Sequence, residues 1–317
     1  MMRFIRYIDE SKYRTTWGDY QYADWLSFEP METCRDGYWS CRDPKVFSWW
    51  NYLGACYWRQ DALQMAEMAR AIGRTDDADW CAASAERALR YVRTMLVDGR
   101  LPEAFRTFQT ANLFALRLGV FTDASRAAEA KATLLKSIAD RGNCLATGFL
   151  GTSFILDELT DLGEVSTAYS LLLNHGFPSW LYSVDQGATT VWERWNSYTK
   201  KDGFGSVGMN SFNHYAYGAV LAWLYRTAAG IAPDSKAPGF RNVIMSPKPD
   251  RRLGYLKASY RTPFGRIESA WRYEGATWIW TFTLPEGVTA DVILPGETHT
   301  TRYTAGVHQV VTPCDGL

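Results

Sequence analysis

The sequence predicts two parts: an all-α array over residues 1–231, followed by a small antiparallel β-sandwich over residues 232–317. Three observations carry this reading. Through most of the first part, apolar residues recur three and four positions apart, the spacing of one helix face. The run Ile231-Ala-Pro-Asp-Ser-Lys-Ala-Pro-Gly then interrupts the pattern with two prolines and a glycine. Beyond it, short stretches alternate apolar and polar residues between turn signals.

Each element follows in order. The N-terminal MMRFIRYIDESKYR has the pattern of an amphipathic helix and lacks the apolar stretch of a secretory signal. If Met1 is the true start, that predicts a cytoplasmic protein. Residues 58–72 carry Ala62, Met65, Ala66, Ala69 and Ile72 on one face and stop at Gly73. Asp76 or Asp77 can cap the next helix, 78–97, whose stripe is Cys81, Ala85, Ala88, Leu89, Val92 and Leu96. Further helices are predicted at 103–118, 123–140, 151–160, 163–174 and 211–229, the last with Tyr217, Val220, Leu221 and Leu224 in line. Short joins make neighbours antiparallel hairpins. Strands are predicted at 256–262, 266–274, 277–284 and 290–295, separated by Pro-Phe-Gly, Glu-Gly-Ala and Pro-Glu-Gly turns.

Composition narrows the function. The 317 residues hold 34 basic and 34 acidic side chains, a net charge of zero that argues against nucleic-acid or polybasic membrane binding. No apolar run reaches a membrane span. Aromatic residues make up 15% of the chain, with 14 Trp and 18 Tyr. A Trp-rich neutral protein suits sugars, because the apolar face of a pyranose stacks on indole without a charge partner. Cys34, Cys41, Cys56, Cys81, Cys144 and Cys314 form no CxxC pair and have no His at zinc spacing, so no metal is expected. Most read as buried small hydrophobes, with Cys34 and Cys41 the one pair placed for a disulfide.

Three segments could hold chemistry. Gly187-Ala-Thr-Thr-Val-Trp-Glu-Arg-Trp sets Glu193 between Trp192 and Trp195, with Arg194 beside it. A carboxylate among indoles suits general acid or base work, and two core tryptophans around a solvated ion pair would read the same. Gly203–Gly218 is a glycine-rich loop leading to Asn210, Asn213 and His214, expected in the first turns of a helix. These groups are ordinary caps or a neutral cluster that reads hydroxyls. Around Trp17–Leu26, Asp24 could accept hydroxyl bonds and Trp25 could stack, or the segment could simply pack over the helices. Nothing matches a phosphate-cradling loop, a nucleophile elbow or a metal cluster, and no cofactor is expected.

In their order and spacing, Gly148-Phe-Leu-Gly-Thr, Tyr169-Ser-Leu-Leu-Leu, Pro178-Ser-Trp, Gly187–Trp195 and Met209-Asn-Ser-Phe-Asn-His-Tyr resemble the bacterial and fungal α-L-rhamnosidases of glycoside hydrolase family 78. The likeness runs over essentially the whole chain and continues at Ile244-Met-Ser-Pro-Lys-Pro. It implies an (α/α)6 barrel of six-hairpin type with the C-terminal sandwich, and inverting hydrolysis of terminal α-L-rhamnosyl residues. By the same resemblance Glu193 is the general base, His214 contacts bound rhamnose, and Asp24 and Trp25 match a Gly-Asp-Trp-Leu segment in which Ala23 replaces the glycine. Trp192, Trp39 and Trp180 are implied in the aromatic wall, and Asn213 lies in the polar cluster beside them.

The family's Arg-x-Glu and Trp-x-Gly-Asp segments, which carry the general acid, have no counterpart here. Glu10 and Glu29 are upstream carboxylates outside that motif. The barrel is therefore expected to be incomplete at its N-terminal side: the chain is a fragment of a longer protein, or it closes differently, or a second copy or a partner covers the apolar flanks. Two other readings stay open: a carbohydrate-binding remnant without the acid, and a helical protein-interaction module.

Overall fold

A computed structural model describes residues 1–10, 23–29 and 44–313. Packing divides the chain into two units. One comprises Met1–Glu158 with Gly176–Ser179 and Arg194–Asn196; the other comprises Leu159–His175, Trp180–Glu193 and the chain from Ser197 onward.

In the first unit, α1 (Met2–Glu10) packs on the hairpin of α2 (Pro44–Ala71) and α3 (Thr75–Thr94). Ile5 sits among Ala62, Met65, Ala66, Cys81 and Ala85, and Ile8 meets Trp58 and Ala88. The alanine-rich faces let the three helices approach closely, which is how the predicted stripes are used. Gly73 turns the hairpin at φ +73°, a backbone that costs glycine little. Arg87 grips the buried Asp9 carboxylate of α1, and the Trp58 indole N–H donates to Ser84 Oγ at 2.9 Å.

Next come α4 (Gln109–Arg117) and α5 (Ala124–Asp140). The helix expected at 103–118 begins only at Gln109, and seven of its nine residues are buried. Asp123 caps α5 by accepting from Ser125 N at 2.8 Å. The helix expected at 151–160 is two short ones, α6 (Phe149–Thr152) and α7 (Ile155–Asp161). Among the described residues, Cys56, Cys81 and Cys144 are buried; Cys34, Cys41 and Cys314 lie outside them. No helix of the described residues is long and apolar enough to cross a membrane.

The second unit holds α8 (Val165–Leu172), α9 (Trp180–Asp185) and a small hairpin of β1 (Tyr198–Thr199) and β2 (Gly203–Phe204). The helix expected at 211–229 is shorter and mixed. It starts as a 3-10 turn at Ala216–Ala219, becomes α10 (Val220–Trp223), and ends as a π-turn at Leu224–Ala228. Residues 211–215 stay extended or turned because their backbone groups bond across to another segment, described below.

Two four-stranded sheets follow. One has the antiparallel order β10–β7–β6–β5, from Tyr255–Thr262 (β5), Gly265–Glu274 (β6), Thr277–Leu284 (β7) and Gly306–Pro313 (β10). The other has the order β3–β4–β8–β9, from Ile231–Pro233, Asn242–Met245, Thr289–Val292 and Thr301–Tyr303. Here β4 and β8 run parallel, in a sandwich expected to be antiparallel. Trp278, Trp280, Phe282 and Leu284 point inward from β7 with at most 2% exposure, the alternation a half-buried strand requires. They share a core with Val243, Met245, Ala290 and Val292. The linker expected from Ile231 is itself strand at its start, so the sandwich draws on residues the proline-rich composition disguised. Ser269 Oγ and the Trp271 indole N–H donate to the carbonyls of Ala229 and Ala228, at 2.6 and 2.8 Å.

Candidate active site

Glu193 is placed by a ribbon of two irregular segments, 190–193 and 211–214. Thr190 Oγ1 donates to Phe212 O, His214 N donates to Val191 O at 2.8 Å, and Glu193 N donates to Ser211 O at 2.9 Å. The bonds satisfy backbone groups that a helix would otherwise take up, which is why 211–215 is not helical. In return Ser211 N donates to Glu193 Oε2 at 2.8 Å. Glu193 is only 9% exposed. Oε1 takes no protein hydrogen bond or ion pair among the described residues, so one oxygen is anchored and the other is available.

The ribbon also sets the flanking groups. Trp192 is buried and meets Phe212 edge to face, centroids 5.4 Å apart. Phe212 meets Phe204, which meets Tyr198, extending the aromatic stack along the small hairpin. His214 is half-buried and lies parallel to Tyr215 at 5.4 Å. Its Nδ1 accepts from Ala216 N at 3.3 Å, assigning the proton of the neutral ring to Nε2. Asn213 is exposed, its N–H bonded to Ser211 Oγ at 3.2 Å. Asn210 donates to Ser197 O at 2.9 Å and so braces the glycine loop. Asn210, Asn213 and His214 thus precede the helix in whose first turns they were expected. Trp180 is half-buried, with its indole N–H donating to Tyr217 O at 2.9 Å.

Asp24 and Trp25 belong to the first unit. Asp24, expected to accept hydroxyl bonds from a sugar, has no exposed surface and spends its carboxylate on protein donors: Thr110 Oγ1, and the N–H groups of Gly148, Leu150 and Gly151 at 2.8, 2.8 and 3.1 Å. Burial raises its pKa, and these four bonds oppose the rise. Its geometry is that of a clamp on the Gly148-Phe-Leu-Gly-Thr segment. Gly148 is required there, because a Cβ would lie 2.2 Å from Trp25 O and 2.4 Å from Asp24 O. Trp25 is half-buried, and its carbonyl accepts from Phe149 N at 2.9 Å. Glu29 caps α4, both carboxylate oxygens accepting from Gln109 N. Trp39 lies outside the described residues.

Ser211 was missed by sequence reasoning. It contributes through its backbone N–H, which every non-proline residue carries, so no side-chain signal marked it.

Comparison with known proteins gives a consistent assignment. Residues 1–228 match the family model of the bacterial alpha-L-rhamnosidase 6 hairpin glycosidase domain, and residues 230–309 match the bacterial alpha-L-rhamnosidase C-terminal domain. An alpha-L-rhamnosidase of Formosa agariphila is 34% identical over 275 residues, 86% of this chain and 28% of that relative. One from Alteromonas sp. is 36% identical over 209 residues, 66% of this chain and 22% of that relative. The crystal structure of Streptomyces avermitilis alpha-L-rhamnosidase complexed with L-rhamnose superimposes with a TM-score of 0.80 at 28% identity, covering 98% of this chain and 30% of that one. The chain thus spans about a fifth to a third of the length of such relatives. With both of its parts matched in sequence and in fold, the chain belongs to the bacterial α-L-rhamnosidase family of six-hairpin glycosidases.

Proposed function

We propose that this chain carries the water-activating side of an inverting α-L-rhamnosidase site. The observation that supports it most is the Glu193 carboxylate: nearly buried, held at Oε2 by Ser211 N–H, and without a partner at Oε1 among the described residues. A general base needs this asymmetry, because the oxygen that takes the proton must be unoccupied while the group is held in place.

In the reaction, Glu193 Oε1 removes a proton from a water. The water oxygen attacks the anomeric carbon from the face opposite the leaving group, and the bond from that carbon to the glycosidic oxygen breaks. A carboxylic acid protonates the departing oxygen from the other side. Inverting enzymes separate the two carboxyl groups by about 6.5–9.5 Å to admit the water. His214, with its N–H at Nε2, donates to a sugar hydroxyl, and Asn213 offers amide groups beside it. Trp192 and Trp180 form apolar wall for the ring. Asp24, within the first unit, fixes the backbone of 148–151 and takes no part in this step. Rhamnose is the sugar of choice because the Streptomyces relative was crystallised with it.

The test uses 2,4-dinitrophenyl α-L-rhamnoside, whose leaving group departs without protonation, so the base is assayed apart from the acid. The expected product is β-L-rhamnose, seen first by NMR, and Glu193→Ala should lose turnover and regain it with azide, which needs no base. L-Rhamnose binding without turnover on this substrate would replace hydrolysis by a binding role. Neither binding nor turnover would sink the reading altogether.

A further inference from the structure

The second unit has a cleft of about 550 Å³ away from the Glu193 ribbon, within the size range of small-molecule sites. It lies among the start of α8, the loop 246–252 and the loop 293–297. Three cations and two carboxylates line it. The carboxylates are engaged: Asp250 with Arg252 at 2.6 Å, and Glu297 with His299 at 3.1 Å. Arg252 is likewise committed, donating to Ser170 Oγ at 2.6 Å and to Ser166 O at 2.8 Å. Lys248 and Arg251 differ. Both are exposed, and neither pairs with a carboxylate among the described residues. Arg251 donates to Gly275 O at 3.2 Å and lies over the Tyr273 ring at 4.7 Å, which fixes its direction and leaves further N–H groups.

The frame that carries these cations is rigid. Tyr169 Oη donates to Lys248 O at 2.8 Å, and Lys248 N donates to Thr227 O at 2.8 Å. Pro247 and Pro249 flank Lys248, and Pro295 stands in the opposing loop. Among the described residues neither cation pairs with a carboxylate; Arg251 is preorganised for an anion by its contacts, while Lys248 has a braced backbone and orders its side chain on binding. The cleft is too large to be filled by a bare oxyanion, and its proline faces offer apolar surface to a ring.

We propose that this cleft binds an acidic saccharide unit, its carboxylate or sulfate held between Lys248 and Arg251 and its ring lying against Pro249 and Pro295. The saccharide part of this inference rests on the rhamnosidase reading above. The site would hold a charged stretch of a polysaccharide while Glu193 acts on a rhamnosyl residue elsewhere on it.

Calorimetric titration of the full chain with trigalacturonate, its methyl ester, a 6-sulfated galactotriose and inorganic sulfate tests this. At least one acidic trisaccharide should bind, at least tenfold more tightly than the neutral ester and than inorganic sulfate, and more weakly as salt rises. Lys248→Gln should weaken it about fivefold or more with unchanged melting temperature, and Arg251→Gln similarly; preference for uronate or sulfate identifies the natural acid. Equal affinity for the ester, equal affinity for inorganic sulfate, no effect of Lys248→Gln, or no binding of either acidic trisaccharide overturns the proposal. L-Rhamnose titrated into the same preparations separates the two readings. Rhamnose binding without acidic-saccharide binding sinks only this one. Acidic-saccharide binding without rhamnose binding or rhamnoside turnover sinks the catalytic one.

Discussion

Asp24 and Glu193 are both carboxylates withdrawn from solvent, at 0% and 9% exposure, yet their surroundings give them opposite capacities. Asp24 is saturated by one hydroxyl and three backbone N–H groups. Among the described residues, Glu193 has one donor, Ser211 N–H, on one oxygen. A buried carboxylate with every lone-pair direction used holds a fold together; one left half-satisfied stores the capacity to take a proton or bind water. Burial alone does not separate a structural acid from a catalytic one. On the proposed reading, the count of donors does.

The largest effect that could break this comparison is on turnover. Glu193→Gln should lower rhamnoside hydrolysis by about 10² to 10⁴-fold, the usual worth of a general base, while its melting temperature stays near wild type because Gln keeps the bond from Ser211. A large drop in melting temperature would put Glu193 in the same class as Asp24. Asp24→Ala should do the reverse. It strands three backbone N–H groups, and unfolding free energy should fall by about 3 kcal/mol or more, measured by denaturant titration. A fully stable Asp24→Ala protein would refute the clamp.

His214→Ala should weaken L-rhamnose binding by roughly tenfold, a lost hydrogen bond or two, with unchanged stability; unaltered affinity would remove His214 from the site. The smallest effect concerns pH. Folding raises the Asp24 pKa, so the folded state holds that proton more tightly than the unfolded chain does. Stability from this group is therefore fully present below its ordinary value of 3.8 and is lost as pH rises through the higher folded value. Relative to the non-titrating Asp24→Asn, wild type should lose ground as pH climbs through that window. A relative gain would mean the four bonds outweigh the burial.

Much of the helical part was legible, because α2 and α3 bury the alanine-rich stripes their spacing predicts, apart from Ile72, which lies past the end of α2 and is exposed. So was β7, whose alternation matches its burial residue by residue. The illegible strands were edges, pieces of loop, and the short interior strand β4, whose four residues are too few to show alternation. β3 contains Pro233 and sits at a sheet edge, where proline is tolerated, so it read as linker. β10 is also an edge strand, and its side chains are exposed or half-buried, leaving little apolar contrast. The helix expected from 211 failed for a different reason: helical spacing cannot register a competing partner, and the 190–193 segment supplied one.

The sequence alone determined the order of helices before sheets, the family, and the candidacy of Glu193, since these rest on periodicity and on motif order along the chain. Only the tertiary structure decided which donors reach each carboxylate. Donors reach Asp24 from 86 to 127 positions away in sequence, and Glu193 from 18. Most of those donors are backbone N–H groups, identical at every residue but proline. Which of them converge on a carboxylate is a property of the packed chain and leaves no mark on residue identity.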